Sequence, residues 1–302
     1  MNFFKAREDY SDLSRTDLFL LDTLSFNSHD SYPTLLMKAI ITGNIPLARV
    51  LITNEIRIND KGDENATALT LAANGGYLDL VKLLLEKRVN IEEVGLCGHT
   101  ALSLSSKRGF TDIVEFLLEQ GANVNHETSN GSTPLMYASL YGHYDTIEEI
   151  LASQPDVNVS NNEGATALIY AARYGHEKVV DLLVSWSLMN IDKVDNRNYS
   201  ALMYACQHNH PNVVKMLLDA GADINLKAGC LFNRYNAFGL AKRRGNREVM
   251  EIFWERSRHH DDEEDCGNDS DSGKHTELED VVDNNECGNE YCNNYSGKVK
   301  EI

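Results

Sequence analysis

Thr34, Thr67, Thr100, Thr133 and Thr166 lie 33 residues apart, and Ser200 follows after 34. Each opens the same run of residues. Thr67-Ala68-Leu69 leads to Ala72-Ala73, Gly76 and an apolar stretch from Leu80 to Leu85. Thr133-Pro134-Leu135 leads in the same way to Ala138-Ser139 and Gly142-His143, and Thr166-Ala167-Leu168 to Ala171-Ala172 and Gly175-His176. A period of this length constrains the chain to a stacked solenoid, because so short a unit cannot bury its apolar face alone. Seven such units, at roughly 8 to 10 Å per layer, predict a rod about 60 Å long.

Within a unit the pattern moves from a short helix carrying small residues, such as Ala171-Ala172, to a longer one. In the longer helix Leu80, Leu83 and Leu84 are spaced to form one apolar face. Two antiparallel helices per unit are expected. Gly76, Gly109, Gly142, Gly175 and Gly245 stand where the first helix must close in a left-handed residue. Polar, glycine-rich runs such as Gly121-Ala122-Asn123-Val124-Asn125 and Gly221-Ala222-Asp223-Ile224-Asn225 suit projecting turns between units. Asn59, Asn125, Asn158 and Asn225 recur there in one phase, 25 residues after the opening Thr or Ser.

The opening Thr-Pro-Leu, the Gly-His pair, the Leu-Leu pair and Gly-Ala-Asp-x-Asn are all present and in phase. On these motifs the chain resembles the ankyrin repeat family from Ser31 to about Glu255. The resemblance implies an all-α solenoid of stacked helix-turn-helix units, at about 31–59, 60–93, 94–126, 127–159, 160–193, 194–227 and 228–255. Residues 1–30, with Asp17-Leu18-Phe19-Leu20-Leu21, read as a degenerate N-terminal cap. The last unit, opening at Asn236, reads as the cap at the other end. One extra residue near Ser187 to Met189 and three around Lys227 to Cys230 fall in turns, where added length costs little. The chain departs from the family at the fourth residue of the opening motif. The usual His, which bonds the Thr hydroxyl, is replaced by Met37, Thr70, Ser103, Met136, Ile169 and Met203. A polar lock missing throughout predicts a stack less stable than one with the family pattern.

Charge narrows the partners. A net charge of -18 opposes general binding to nucleic acid or anionic membrane, which require phosphate neutralisation. Half of that charge sits in residues 256–302, where 14 acidic side chains oppose 5 basic ones. Few large apolar residues are present there to offset ordering entropy, so this acidic tail is expected to be disordered. No run of apolar residues is long enough to insert in a membrane, and Met1 to Asp9 lacks the apolar core of a secretory signal. The six cysteines show no recurring spacing, which suits free thiols in a reducing compartment. A monomeric, cytoplasmic protein is expected, with nuclear entry or secretion into a host cell left open. Lys242 to Arg247 imitates a nuclear import run but falls on a predicted helix.

No nucleophile, base and oxyanion donors converge in the sequence, so the chain reads as a non-enzyme without catalytic residues, cofactor or metal. His143, His176 and His210 occupy the family's Gly-His position and read as structural. His259, His260, Cys266, Cys287 and Cys292 are metal-ligand types without a zinc spacing. The family geometry instead implies a concave face built from turn tips and the exposed side of each first helix. Onto it fall Lys107, Arg108, Leu140, Tyr141, Arg173, Tyr174, His208, Arg243 and Arg244, with Tyr199, Phe232 and Tyr235 in the turns just before. Aromatic and Arg side chains dominate binding hot spots. In an acidic protein this basic, aromatic stripe fits either a groove for a partner protein segment with acidic and apolar residues or a merely solvated face. The first reading makes the chain an adaptor, inhibitor or effector. Its alternatives are an inhibitor of an NF-kappaB-like transcription factor and a regulatory subunit of an enzyme complex. Asn125 and Asn158 resemble the family's hydroxylated turn asparagines, and Asp271 to Thr276 resembles a phosphodegron of another ankyrin protein. The acidic cluster at 261–265 has the charge to compete for the basic stripe.

Overall fold

The computed structural model of the chain describes residues 34–62, 65–230 and 233–264. Among them are fourteen α-helices arranged as seven successive pairs. The first units hold α1 (Leu35–Ile41) with α2 (Ile45–Thr53), α3 (Ala68–Gly75) with α4 (Leu78–Glu86), and α5 (Ala101–Arg108) with α6 (Thr111–Glu119). Next come α7 (Pro134–Tyr141) with α8 (Tyr144–Ala152), α9 (Ala167–Tyr174) with α10 (Glu177–Val184), and α11 (Ala201–Gln207) with α12 (Pro211–Asp219). The seventh pair is α13 (Ala237–Arg244) and α14 (Arg247–Glu264). First helices stack on first helices from α1 to α13, and second helices stack likewise from α2 to α12.

The residues that define the period are the N-caps of the first helices. In all seven units the side-chain oxygen of the opening Thr, Ser or Asn accepts from the backbone N–H three residues on, at 2.9 to 3.4 Å. A cap of this kind contributes about 1 kcal/mol and fixes where the helix begins. Its far end is fixed as firmly. Gly142 closes α7 at φ 73°, and a Cβ there would lie 2.5 Å from the His176 ring. Both the left-handed backbone and the approaching imidazole therefore demand glycine. In the sixth unit Asn209 takes the same left-handed position at φ 60°, as the least costly substitute.

The core runs unbroken through the stack. Leu80, Leu84, Ile113, Leu117, Ile147, Ile150, Val180, Leu183, Val213 and Leu217 from the second helices are fully buried, as are Ala72, Ala73, Ala138, Ala171, Ala172 and Ala205 between the first helices. Ser105 and Ser106 replace the alanine step in the third unit and bond back to the carbonyls of Ala101 and Leu102. Ser139, at the same step in the fourth unit, is buried with its hydroxyl unpaired.

The structure revises three expectations from sequence. The polar lock is missing from four openings but rebuilt in two. Thr70 accepts from the Thr67 N–H and donates to its carbonyl, closing a reciprocal cap. The Ser103 hydroxyl donates to the Thr100 carbonyl, so it accepts from Nδ1 of buried His99 at 3.0 Å. Second, the three-residue insertion adds a short strand pair to the helices of the described residues. β1 (Ala228–Cys230) pairs antiparallel with β2 (Asn233–Tyr235), Ala228 facing Tyr235. Third, α14 continues past residue 255, where the tail was placed, to Glu264. Arg256 fastens it by bonding Asp219 and the Leu218 carbonyl, each at 3.0 Å. The N-terminal cap at 1–30, the tail from 265 with its cysteines and phosphodegron-like run, and Phe232 lie outside the described residues.

Candidate functional site

Turns and first helices are tied together by a couple that changes along the chain. Five residues before each opening stands a turn residue, and four residues after it stands a residue of the first helix. In the second and third units these are Gly62 with Leu71 and Gly95 with Leu104. From the fourth unit they become polar pairs. The Thr128 and Tyr137 hydroxyls meet at 3.1 Å, and Asn161 donates to the Tyr170 hydroxyl at 2.8 Å. Tyr204 donates to the Asp195 carboxylate at 2.6 Å. The other Asp195 oxygen accepts from the backbone N–H groups of Arg197 and Tyr199, and Arg197 donates to the Tyr204 hydroxyl at 2.9 Å. Burial pushes the phenols of Tyr137 and Tyr170 up, and Tyr204 furthest, with the bond to Asp195 adding to it. All three therefore remain protonated donors or acceptors at neutral pH.

These tyrosines form the floor on which the expected face is laid. The Lys107 ammonium lies 5.8 Å from the Tyr137 ring centre, and burial together with Arg108 lowers its affinity for a proton. Arg108 is exposed and bonds Asn74 of the preceding unit at 3.0 Å. The Arg173 guanidinium lies over two rings, Tyr174 at 5.6 Å and Tyr204 of the next unit at 5.3 Å. Tyr141 and Tyr174 are each 49% exposed and stack on His143 and His176. Leu140 is half-buried, its carbonyl bonded to His176. His208 stacks between Tyr204 and His210, and burial, then Arg173, His210 and Arg244, holds its imidazole below the ordinary value. Tyr235 is half-buried beneath Arg243 at 5.4 Å, and Arg243 and Arg244 are exposed in the last turn of α13.

Of the residues chosen from sequence, the structure gathers Arg173, Tyr199 and His208 into one open cleft of about 180 Å³. Of its other lining residues, Gln207 holds the same phase on the face as Lys107, Leu140 and Arg173, whereas Arg197 and Tyr204 were not foreseen as part of it. Tyr204 carries a signal that went unused: it repeats Tyr137 and Tyr170 at the same phase. Arg197 sits in a turn and carries no periodic signal. Asn125 and Asn158 serve a structural purpose. Their side-chain oxygens accept from the backbone N–H of Asp156 and Asn190 in the following turns, at 2.9 and 2.8 Å. Among the described residues, no cluster of His, Cys, Asp or Glu has the arrangement to hold a metal, and no helix is long and apolar enough to cross a membrane. Cys206 is buried, which pushes its thiol up and leaves it unreactive.

Comparison with known proteins agrees with this architecture. The crystal structure of EF0377, an ankyrin repeat protein, matches with a TM-score of 0.57 and 29% identity, covering 61% of this chain and 95% of that one. No curated protein matches. Repeats of this kind are protein-interaction modules. The family described as ankyrin repeats (3 copies) matches residues 13–94, 87–161 and 141–228, and with capped helix pairs recurring in register through the described residues of that span, the chain belongs to the ankyrin repeat family.

Proposed function

We propose that the protein binds a segment of a partner protein along the first-helix face from Lys107 to Arg244, acting as an adaptor, inhibitor or effector without catalysis of its own. The observation that carries the reading is the presence of exposed Tyr141 and Tyr174 on one face with Arg173, whose guanidinium lies over the Tyr174 and Tyr204 rings. Rigid aromatic rings bury large area at little entropic cost, and guanidinium groups offer several directed donors. In a chain of net charge -18 a basic stripe favours a partner segment that mixes acidic with apolar residues.

Capture of partner proteins by the full chain tests this. Replacing Tyr141 and Tyr174 together by Ala should weaken capture by about 2 kcal/mol or more, as for hot-spot aromatics. Arg108→Glu with Arg173→Glu should abolish it. Undiminished capture by both variants, with unchanged circular dichroism, would show the face to be only solvated.

A further inference from the structure

The cleft lined by Arg173, Arg197, Tyr199, Tyr204, Gln207 and His208 lies where the fifth and sixth units meet. Its volume, about 180 Å³, is below the roughly 300 to 1,000 Å³ of sites that hold cofactors or drug-sized ligands. One short side chain suits it. Two groups at its walls lack the partners their chemistry calls for. Arg173 has no carboxylate within ion-pair reach among the described residues and meets only aromatic rings. The Gln207 side-chain oxygen is buried and accepts from nothing. Arg197, in contrast, already shares its charge with Asp195 at 3.7 Å. Two guanidinium groups against one carboxylate leave a formal charge of +1 around the opening.

We propose that this cleft is the subsite for a single Asp or Glu side chain of the partner segment, the carboxylate pairing with Arg173 and Arg197. This rests on the binding face proposed above and adds to it the chemistry of one position. A guanidinium holds a carboxylate through directed, charge-assisted bonds, and the Tyr199 and Tyr204 rings exclude water from them. A dianionic phosphate fits less well, because the Asp195 carboxylate stands directly behind Arg197 and leaves one positive charge to be matched. The arriving carboxylate also meets His208. The groups facing that ring are Arg173 on α9, Tyr204 on its own helix α11, His210 beyond it, and Arg244 on α13. Three of the four are cationic when charged, so a carboxylate would reverse the balance and favour the imidazolium. Binding of an acidic side chain should then tighten as pH falls into the range where the imidazole takes up its proton, while the incoming carboxylate, with a free value near 4.3, stays ionised.

The test uses the full chain and a display library of short random-sequence peptides. Recovered peptides should carry an acid, and synthesis of each with Glu or Gln at that position should show roughly tenfold tighter binding of the Glu form. Arg173→Met, which keeps the packing over Tyr204, should erase the difference between the two forms, and Arg197→Gln should reduce it. Between about pH 7.5 and about pH 5.5 the Glu form should gain roughly threefold while the Gln form stays level. Peptides that lose binding with Tyr141→Ala or Tyr174→Ala yet show no acid, or whose preference for Glu survives Arg173→Met, would overturn the subsite and leave the face standing. Peptides that prefer a phosphorylated residue to Glu would replace the carboxylate assignment. Recovery of peptides indifferent to all these substitutions, or of none, would overturn both readings.

Discussion

The two halves of the stack join their units by different chemistry at the same geometric point. Ten residues after each opening a ring reaches back onto the left-handed residue of the preceding unit. In the second and third units the ring is Tyr77, whose hydroxyl end lies against Gly43, and Phe110, whose ring carbons lie against Gly76. In the next three it is His143, His176 and His210, whose Nε2 atoms each meet a carbonyl of the preceding unit, Lys107, Leu140 and Arg173, at 3.1 Å. A carbonyl only accepts, so each ring carries its proton on Nε2. Asn246 does the same for the last junction, donating to the Cys206 carbonyl at 2.7 Å. The polar couples of Thr128, Asn161 and Asp195 with tyrosine begin in the same place. An apolar contact tolerates small slips, whereas a satisfied network of directed bonds holds one arrangement. The half that carries the exposed tyrosines, Arg173 and the cleft is therefore the half with fixed ring positions, which limits the entropy a partner must overcome.

This contrast is open to attack by substitution. Asp195→Ala removes the acceptor for two backbone N–H groups and for the Tyr204 hydroxyl proton, and should cost about 3 kcal/mol in urea unfolding. Thr128→Ala, at the neutral end of the series, should cost about 1 kcal/mol. Equal losses at both sites would erase the gradient. At the boundary between the halves His99 offers a pH signature. Burial, then Lys107 and His126, lowers its value from 6.5 to about 4. The unfolded chain therefore takes up a proton that the folded chain refuses. Stability from this group is whole above about pH 6.5 and falls as pH drops toward 4, by up to about 3 kcal/mol. His99→Gln should flatten that limb of the stability curve.

Exchanging the two junction chemistries comes next in size. His176→Phe leaves the Leu140 carbonyl without its donor and should cost about 1 to 2 kcal/mol, whereas Phe110→His should change stability by less than about 1 kcal/mol. The only expected gain is Ser139→Ala. Removing an unpaired buried hydroxyl should stabilise by about 1 kcal/mol and raise the melting temperature.

The fold was legible because its signals are local and repeated. A capping Thr and a closing Gly act within one turn of helix, so they show in sequence wherever they act. The face was legible in part. Lys107, Tyr141 and Arg173 follow from phase alone, but which of them meet depends on contacts between units. Arg197 reaches the cleft from a turn, and Gln207 matters only because its oxygen is buried without a donor. Asn209 in place of a closing Gly, and His99 serving Ser103 in place of the family's own histidine, are substitutions of role. A reading tied to one residue type per position passes over them. The hairpin at Ala228–Cys230 and Asn233–Tyr235 was visible only as extra length.

The turn-to-turn bonds carry a mechanical consequence. Glu92 accepts from the Asn123 N–H, Asn125 from Asp156, Asn158 from Asn190 and Asp192 from Asp223, one such bond at each of the four junctions from the second unit to the sixth. Links in series share the same tension, so the weakest yields first and the rest hold until their own limit is reached. A chain pulled from its ends would lengthen in steps of one unit, and each step would return when the load is released, as in a ratcheted spring whose teeth are backbone amides.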